Sequence, residues 1–224
     1  RTCMLAAFMV LAGIGWIMAD SVPATTTIIK VGGEGATDER GSTEDYSIPF
    51  ATLQAAITAA NAATTDKVEI AVAPGEYTAG DTFGSFGELA KKEVAIYNSG
   101  NEEAKLTGTL TFKKEVEKAV VNGFHFVNNA KSSLYKEKNS ISVFCNNVEI
   151  VNNAFTGGTV TGNAIPNGVV FYPQGTESVT PVYSIHGNDF SFKTTDASCI
   201  LFRENFTSTT QIPDETTATA TISE

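Results

Sequence analysis

Two interleaved strand patterns constrain this chain more than any other feature of its sequence. Three segments share an aliphatic residue followed five positions later by Phe: V-N-G-F-H-F (Val121 to Phe126), I-V-N-N-A-F (Ile150 to Phe155) and I-H-G-N-D-F (Ile185 to Phe190). A second series alternates with them, each member with a central or terminal Phe: TLTF from Thr109, SVFC from Ser142, VVFY from Val169 and ILFR from Ile200. Within each series the copies recur at roughly 27 to 35 residues, the irregular period expected of a solenoid whose corners carry Asn and Gly. A helical solenoid would need a 3.6-residue apolar period, which the repeats lack. A β-sandwich also has short strands and turn residues. It does not predict two strand types alternating in fixed order.

The repeats follow one helix signal. Ser47 reads as a cap, Pro49 falls in the first turn, and Phe50, Leu53, Ile57 and Ala60 recur at helical spacing, predicting a helix at about 48–63. VEIAV comes next, with Val68, Ile70 and Val72 alternating as in a strand, closed by Pro74-Gly75. The passages Ile48–Asn61 (IPFATLQAAITAAN) and Val68–Tyr77 (VEIAVAPGEY) resemble the opening of pectin lyase-like right-handed parallel β-helix proteins. In that family a helix caps the solenoid and the first strand runs into a Pro-Gly-x-Tyr turn. The three Phe-ended segments resemble its coil repeats, so the likeness spans about residues 46–206. It implies an all-β fold: a right-handed parallel β-helix with an N-terminal capping α-helix. It implies little about activity, because that fold hosts lyases, hydrolases, esterases, adhesins and tailspikes.

Successive strands of such a fold lie about 4.8 Å apart, so aligned positions form rows. Val121/Ile150/Ile185 and Phe126/Phe155/Phe190 are the expected core stacks. Asn153 and Asn188 share a row beside Phe124, where stacked amides satisfy corner backbone groups. His125, Ala154 and Asp189 share another, with His125 and Asp189 about 9 to 10 Å apart, beyond direct hydrogen bonding. His186 falls in a row with Asn122 and Val151 and has no expected stacked partner.

The ends and the cysteines bear on compartment. The apolar run Cys3–Met18 after Arg1, followed by small residues up to Ala24, has the layout of a secretory signal peptide over 1–24. The alternative is a membrane anchor, for which the run is short. Residues 25–46 form a polar lead-in, 47–208 the β-helix domain, and 209–224 a Thr-rich tail or the start of a truncated further coil. Because the chain starts with Arg1 and no cap follows the last repeat, a longer natural protein is expected. Cys145 and Cys199 are able to pair in an oxidising compartment, but their apolar settings favour stacked core thiols. No CxxC or Cys/His cluster suggests a metal. With 15 Lys+Arg against 25 Asp+Glu, a net charge of −10, binding of nucleic acid through a basic surface is disfavoured. Only 18% of the 224 residues are charged and 42% are hydrophobic, which fits neither disorder nor a helical bundle.

Catalytic signals are sparse. A glycoside hydrolase needs two carboxyl groups about 5–9 Å apart, and a polysaccharide lyase needs carboxylates for Ca²⁺ plus a basic residue. The candidates are Glu149, Glu177, Asp189, Asp196, Arg203 and Glu204, of which Asp189, Asp196 and Arg203 form the best constellation. The clustered aspartates of family polygalacturonases and the Asp-rich calcium strands of family pectate lyases are missing. KVGGEGA (Lys30–Ala36) lacks the Lys-Ser/Thr and helix of a phosphate-binding loop. The sequence therefore favours a secreted or cell-surface, non-catalytic module that binds glycans or protein partners or serves as structure, without a cofactor. Tyr172, Tyr183 and His186 are its glycan-binding candidates, because aromatic faces stack on sugar rings. The run Tyr172-Pro173-Gln174 adds exposed-type residues, and Asn205-Phe206-Thr207 fits an N-glycosylation sequon. The alternative is a lyase or hydrolase, the one case that calls for Ca²⁺.

Overall fold

In the computed structural model, residues 25–39, 45–80, 83–129, 131–157, 161–173, 181–192, 197–203 and 219–223 are described. The signal-type segment, Gln174, Glu177, Asp196, Glu204 and the sequon all lie outside the described residues. The lead-in supplies strand β1 (Thr26–Val31), and one helix follows, α1 (Leu53–Ala62). From there strands come in rounds of three. The first round is β2 (Lys67–Val72), β3 (Gly75–Thr78) and β4 (Ser85–Leu89), and the second is β5 (Glu93–Asn98), β6 (Ala104–Thr107) and β7 (Thr109–Phe112). The third is β8 (Lys118–Asn122), β9 (Phe124–Asn128) and β10 (Lys131–Val143). The fourth is β11 (Asn147–Val151), β12 (Ala154–Gly157) and β13 (Thr161–Phe171). The fifth is β14 (Val182–His186), β15 (Asp189–Ser191) and β16 (Ser198–Phe202), after which β17 (Thr219–Ser223) opens another.

Each strand pairs with the equivalent strand of the neighbouring round. The result is a seven-stranded sheet, β1-β2-β5-β8-β11-β14-β17, and two five-stranded sheets, β3-β6-β9-β12-β15 and β4-β7-β10-β13-β16. Every described strand pairing is parallel. That removes the antiparallel sandwich and is compatible with a parallel β-helix. The two sequence patterns separate cleanly. The Phe-ended segments cross from the first sheet into the second, and the TLTF series forms the third.

The register gives the expected rows and extends them. Ile29, Ile70, Ile96, Val121, Ile150, Ile185 and Ile222 stand in line along the first sheet. In the second sheet Tyr77, Leu106, Phe126, Phe155 and Phe190 do the same. Phe155 stacks on Phe126 at 5.0 Å and on Phe190 at 4.7 Å, both nearly coplanar. Leu110, Ile141, Val169 and Ile200 line up in the third sheet. From Ile29 to Ile185 in the first sheet, and along the other two rows, these side chains meet in one apolar core, with Tyr77, Phe190 and Ile200 partly buried against it.

The helix starts later than the sequence suggests. Phe50 bridges Val31, its N–H donates to Lys30 O at 2.8 Å, and its carbonyl accepts from Gly32 N–H at 2.7 Å. The chain is thus held extended beside β1 until Phe50. Thr52 then caps α1, its hydroxyl accepting from Ala55 N–H at 3.2 Å. Asp38 steadies the approach by accepting from Ala51 N–H and Thr52 N–H. Ser47 instead bonds Asp45. The buried face of α1, with Leu53, Ala56, Ile57 and Ala60, packs on β1, β2 and β4.

Candidate functional site

The corner between the first and second sheets is built from amides. Asn153 Nδ2 donates to Val121 O, Val151 O and Asn188 Oδ1, while Asn153 Oδ1 accepts from Phe124 N–H at 3.0 Å. Asn188 Nδ2 donates to Ile150 O at 2.7 Å and to His186 O. Asn153 is buried and every bond joins neighbouring rounds or closes the corner, as the Asn row predicts. Sequence reasoning missed a second amide ladder. Asn167 Nδ2 donates to Asn139 Oδ1 at 3.1 Å, and Asn167 Oδ1 accepts from Ser198 N–H. Its signal was present, since Asn139, Asn167 and Ser198 each stand two residues before the aliphatic row Ile141/Val169/Ile200.

The outward row of the second sheet runs Glu76, Lys105, His125, Ala154, Asp189. His125 and Asp189 flank Ala154 in this row, as expected. The partners of His125 lie elsewhere: Nδ1 contacts Glu103 Oε1, and Nε2 is 2.7 Å from Thr156 Oγ1. Lys105 Nζ lies 2.9 Å from Glu76 Oε1 and 3.7 Å from Glu103 Oε2. The hydrogen bond and charge of Lys105 hold the Glu76 carboxyl below its ordinary value, and Glu76 raises Lys105 in return. Glu103 escaped the sequence reading because it precedes β6, in a round that lacks the Phe-ended pattern. His186 has a partner after all, since its Nε2 lies 3.2 Å from Glu149 Oε1 on the adjacent strand.

Of the glycan-binding candidates, Tyr172 is half-buried and stacks on Phe144 at 4.4 Å with rings 4° from parallel. Asn139 Nδ2 donates to its hydroxyl at 3.3 Å. The structure moves Tyr183 inside. It continues the inward row of Val68, Val94, Ala119 and Val148, is 1% exposed, and packs on Phe171 and Phe202. Burial drives its hydroxyl pKa up strongly, and no ring face is left for a sugar. His186 stays partly exposed.

The catalytic constellation is not assembled among the described residues. Asp189 is exposed on the second sheet, whereas Arg203 follows β16 of the third sheet and pairs with Glu137 on β10. Cys145 and Cys199 are both free. Cys145 is buried, with its thiol pushed up to about 12 by desolvation, whereas Cys199 is exposed, so they are not stacked core thiols. No group of three or more His, Cys, Asp or Glu able to hold a metal occurs among the described residues, and no described helix is long and apolar enough to cross a membrane. Comparison with protein-family models, with curated proteins and with solved structures finds no match to this chain.

Proposed function

We propose that this chain is a right-handed parallel β-helix, secreted or displayed at a cell surface, that binds glycans or protein partners or serves as a structural module. The observation that carries the reading is the passage of strands through three parallel sheets in turn, with aligned rows broken only by register shifts at Ser132/Lys136 and Ser85/Gly87 among the described pairings. Such a stack repeats every outward position along a row at about 4.8 Å, a surface suited to an extended polymer. Tyr172 on Phe144 is the aromatic feature of that surface, with His186 a second polar contact on the first sheet. The apolar run Cys3–Met18 supports export. Glycosidic cleavage by Asp189, Asp196 and Arg203 gains no support from an Arg203 already paired with Glu137.

Affinity electrophoresis of the full chain through polygalacturonate, alginate and neutral glycans, with and without Ca²⁺, tests the proposal. Retention by one of them, weakened about tenfold (about 1.4 kcal/mol) by Tyr172→Ala, is the expected result. A chain that migrates freely through every polymer ends the glycan reading. Release of unsaturated or reducing sugars would replace it with the lyase or hydrolase alternative.

A further inference from the structure

The outward row of the second sheet contains an arrangement that a binding role does not require. Glu103 contacts Nδ1 of His125, and Thr156 Oγ1 sits 2.7 Å from Nε2 of the same ring. A carboxylate on one imidazole nitrogen and a hydroxyl on the other are the roles of a nucleophilic relay, whatever the order in sequence. The three residues come from three successive rounds, so only the stacking of strands brings them together. Three further features favour a reactive site over a simple surface ladder. The His125 side chain is only 19% exposed, so the ring is held in place. Lys105 orients the second oxygen of Glu103. Ala154, next to His125 in the row and two positions before the half-buried Thr156 on the same strand face, puts only a methyl group beside the pair.

We propose that Glu103, His125 and Thr156 form an acyl-transfer site that hydrolyses neutral carboxylic esters. With Nδ1–H donated to Glu103, Nε2 accepts the Thr156 proton as Oγ1 bonds to the ester carbonyl carbon. The imidazolium returns that proton to the departing alkoxide oxygen as the ester C–O bond breaks, releasing the alcohol and leaving acyl-Thr156. Water, deprotonated by His125, then attacks the acyl group, and the acid leaves with the Thr156 hydroxyl restored. Lys105 offsets only one of the two carboxylates Glu76 and Glu103, and Asp189 beyond Ala154 adds another, so the row stays net negative, repels an anionic substrate, and the ester is uncharged.

The test is hydrolysis of 4-nitrophenyl acetate by the full chain, together with peptide mapping after a fluorophosphonate probe. Wild type should turn over the ester and carry the adduct on the Thr156 peptide. Thr156→Val, which keeps the β-branched shape, and His125→Ala should each lose about 100-fold or more in rate, and Thr156→Ser should retain activity. Circular dichroism and melting of Thr156→Val should match wild type, separating the site from the fold. A wild-type rate no higher than buffer, a Thr156→Val rate equal to wild type, or an adduct mapped to another residue overturns the proposal. These readouts are independent of glycan retention, so either reading is able to fail alone.

Discussion

Asn152 holds the corner between the first and second sheets at a φ of 54°, where Gly123 and Gly187 occupy the equivalent positions at 81° and 63°. A β-branched side chain in this left-handed region costs about 1–2 kcal/mol, whereas Gly adopts it freely and Asn nearly so. Asn152→Val should therefore destabilise by about 1–2 kcal/mol, and Asn152→Gly should stay within about 0.5 kcal/mol of wild type, both read from urea unfolding. Burial sets the behaviour of the thiols in the same local way. Cys145 is held to about 12 against a reference of 9.0, and Tyr183 is raised too, both by desolvation. The neutral forms are favoured in the folded state, so their contribution is complete below the unfolded values. It is lost as pH climbs from about 9 toward the folded values, at up to about 1.4 kcal/mol per pH unit for each group. Melting temperature should fall between pH 9 and 11, and Cys145→Ala should flatten that slope. Native alkylation at pH 8 should label Cys199 and spare Cys145, and equal labelling of the two would contradict the buried position.

At the scale of single elements, the helix and the tight corners set the geometry of the first rounds. Thr52 caps α1 by accepting from Ala55 N–H, a bond that Asp38 does not replace because it takes the N–H groups of Ala51 and Thr52, so Thr52→Ala should cost about 1 kcal/mol, measured by thermal melting. Gly108 sits between β6 and β7 at a φ of 150°, and a Cβ there would lie 2.6 Å from Ala79 Cβ and 2.9 Å from Phe86 Cε2. Gly108→Ala should cost about 2–3 kcal/mol, because both backbone strain and overpacking act against it. The sequence exposes such elements unevenly. The strands carrying Phe at a fixed offset were legible, because a period of 2 within each strand and a period near 30 between strands leave few alternatives. The start of α1 was not, because Pro49 and Phe50 satisfy helical spacing while their backbone is committed to β1 and to Thr37 in the loop that follows β1. Glu103 and Thr156 were invisible as partners of His125, since side-chain convergence across rounds depends on where each irregular loop resumes its strand. Tyr183 was misjudged because composition does not tell an aromatic on the outer face from one in the core until the register places it in an inward row.

Across the whole molecule, contacts run mainly between one round and the next, so stability is close to a chain of nearest-neighbour terms. Phe155 is the most telling link in that chain. It is fully buried and stacked on both faces, joining the third round through Phe126 to the fifth through Phe190. Truncation to Ala removes two aromatic contacts of about 0.5–1.5 kcal/mol each as well as the transfer and cavity terms, for a total of about 3–5 kcal/mol. The larger consequence is cooperativity. Phe155→Ala loosens the middle of the array, while α1 still covers the rounds at the N-terminal end. Urea unfolding of the variant should separate into two transitions, with amide exchange rising in β12 to β15 before it rises in β2 to β6. Phe155→Leu, which keeps most of the volume, should restore a single transition. A Phe155→Ala variant that unfolds in one step at reduced midpoint would mean instead that the three sheets share a single cooperative core, stiffer than nearest-neighbour contacts provide.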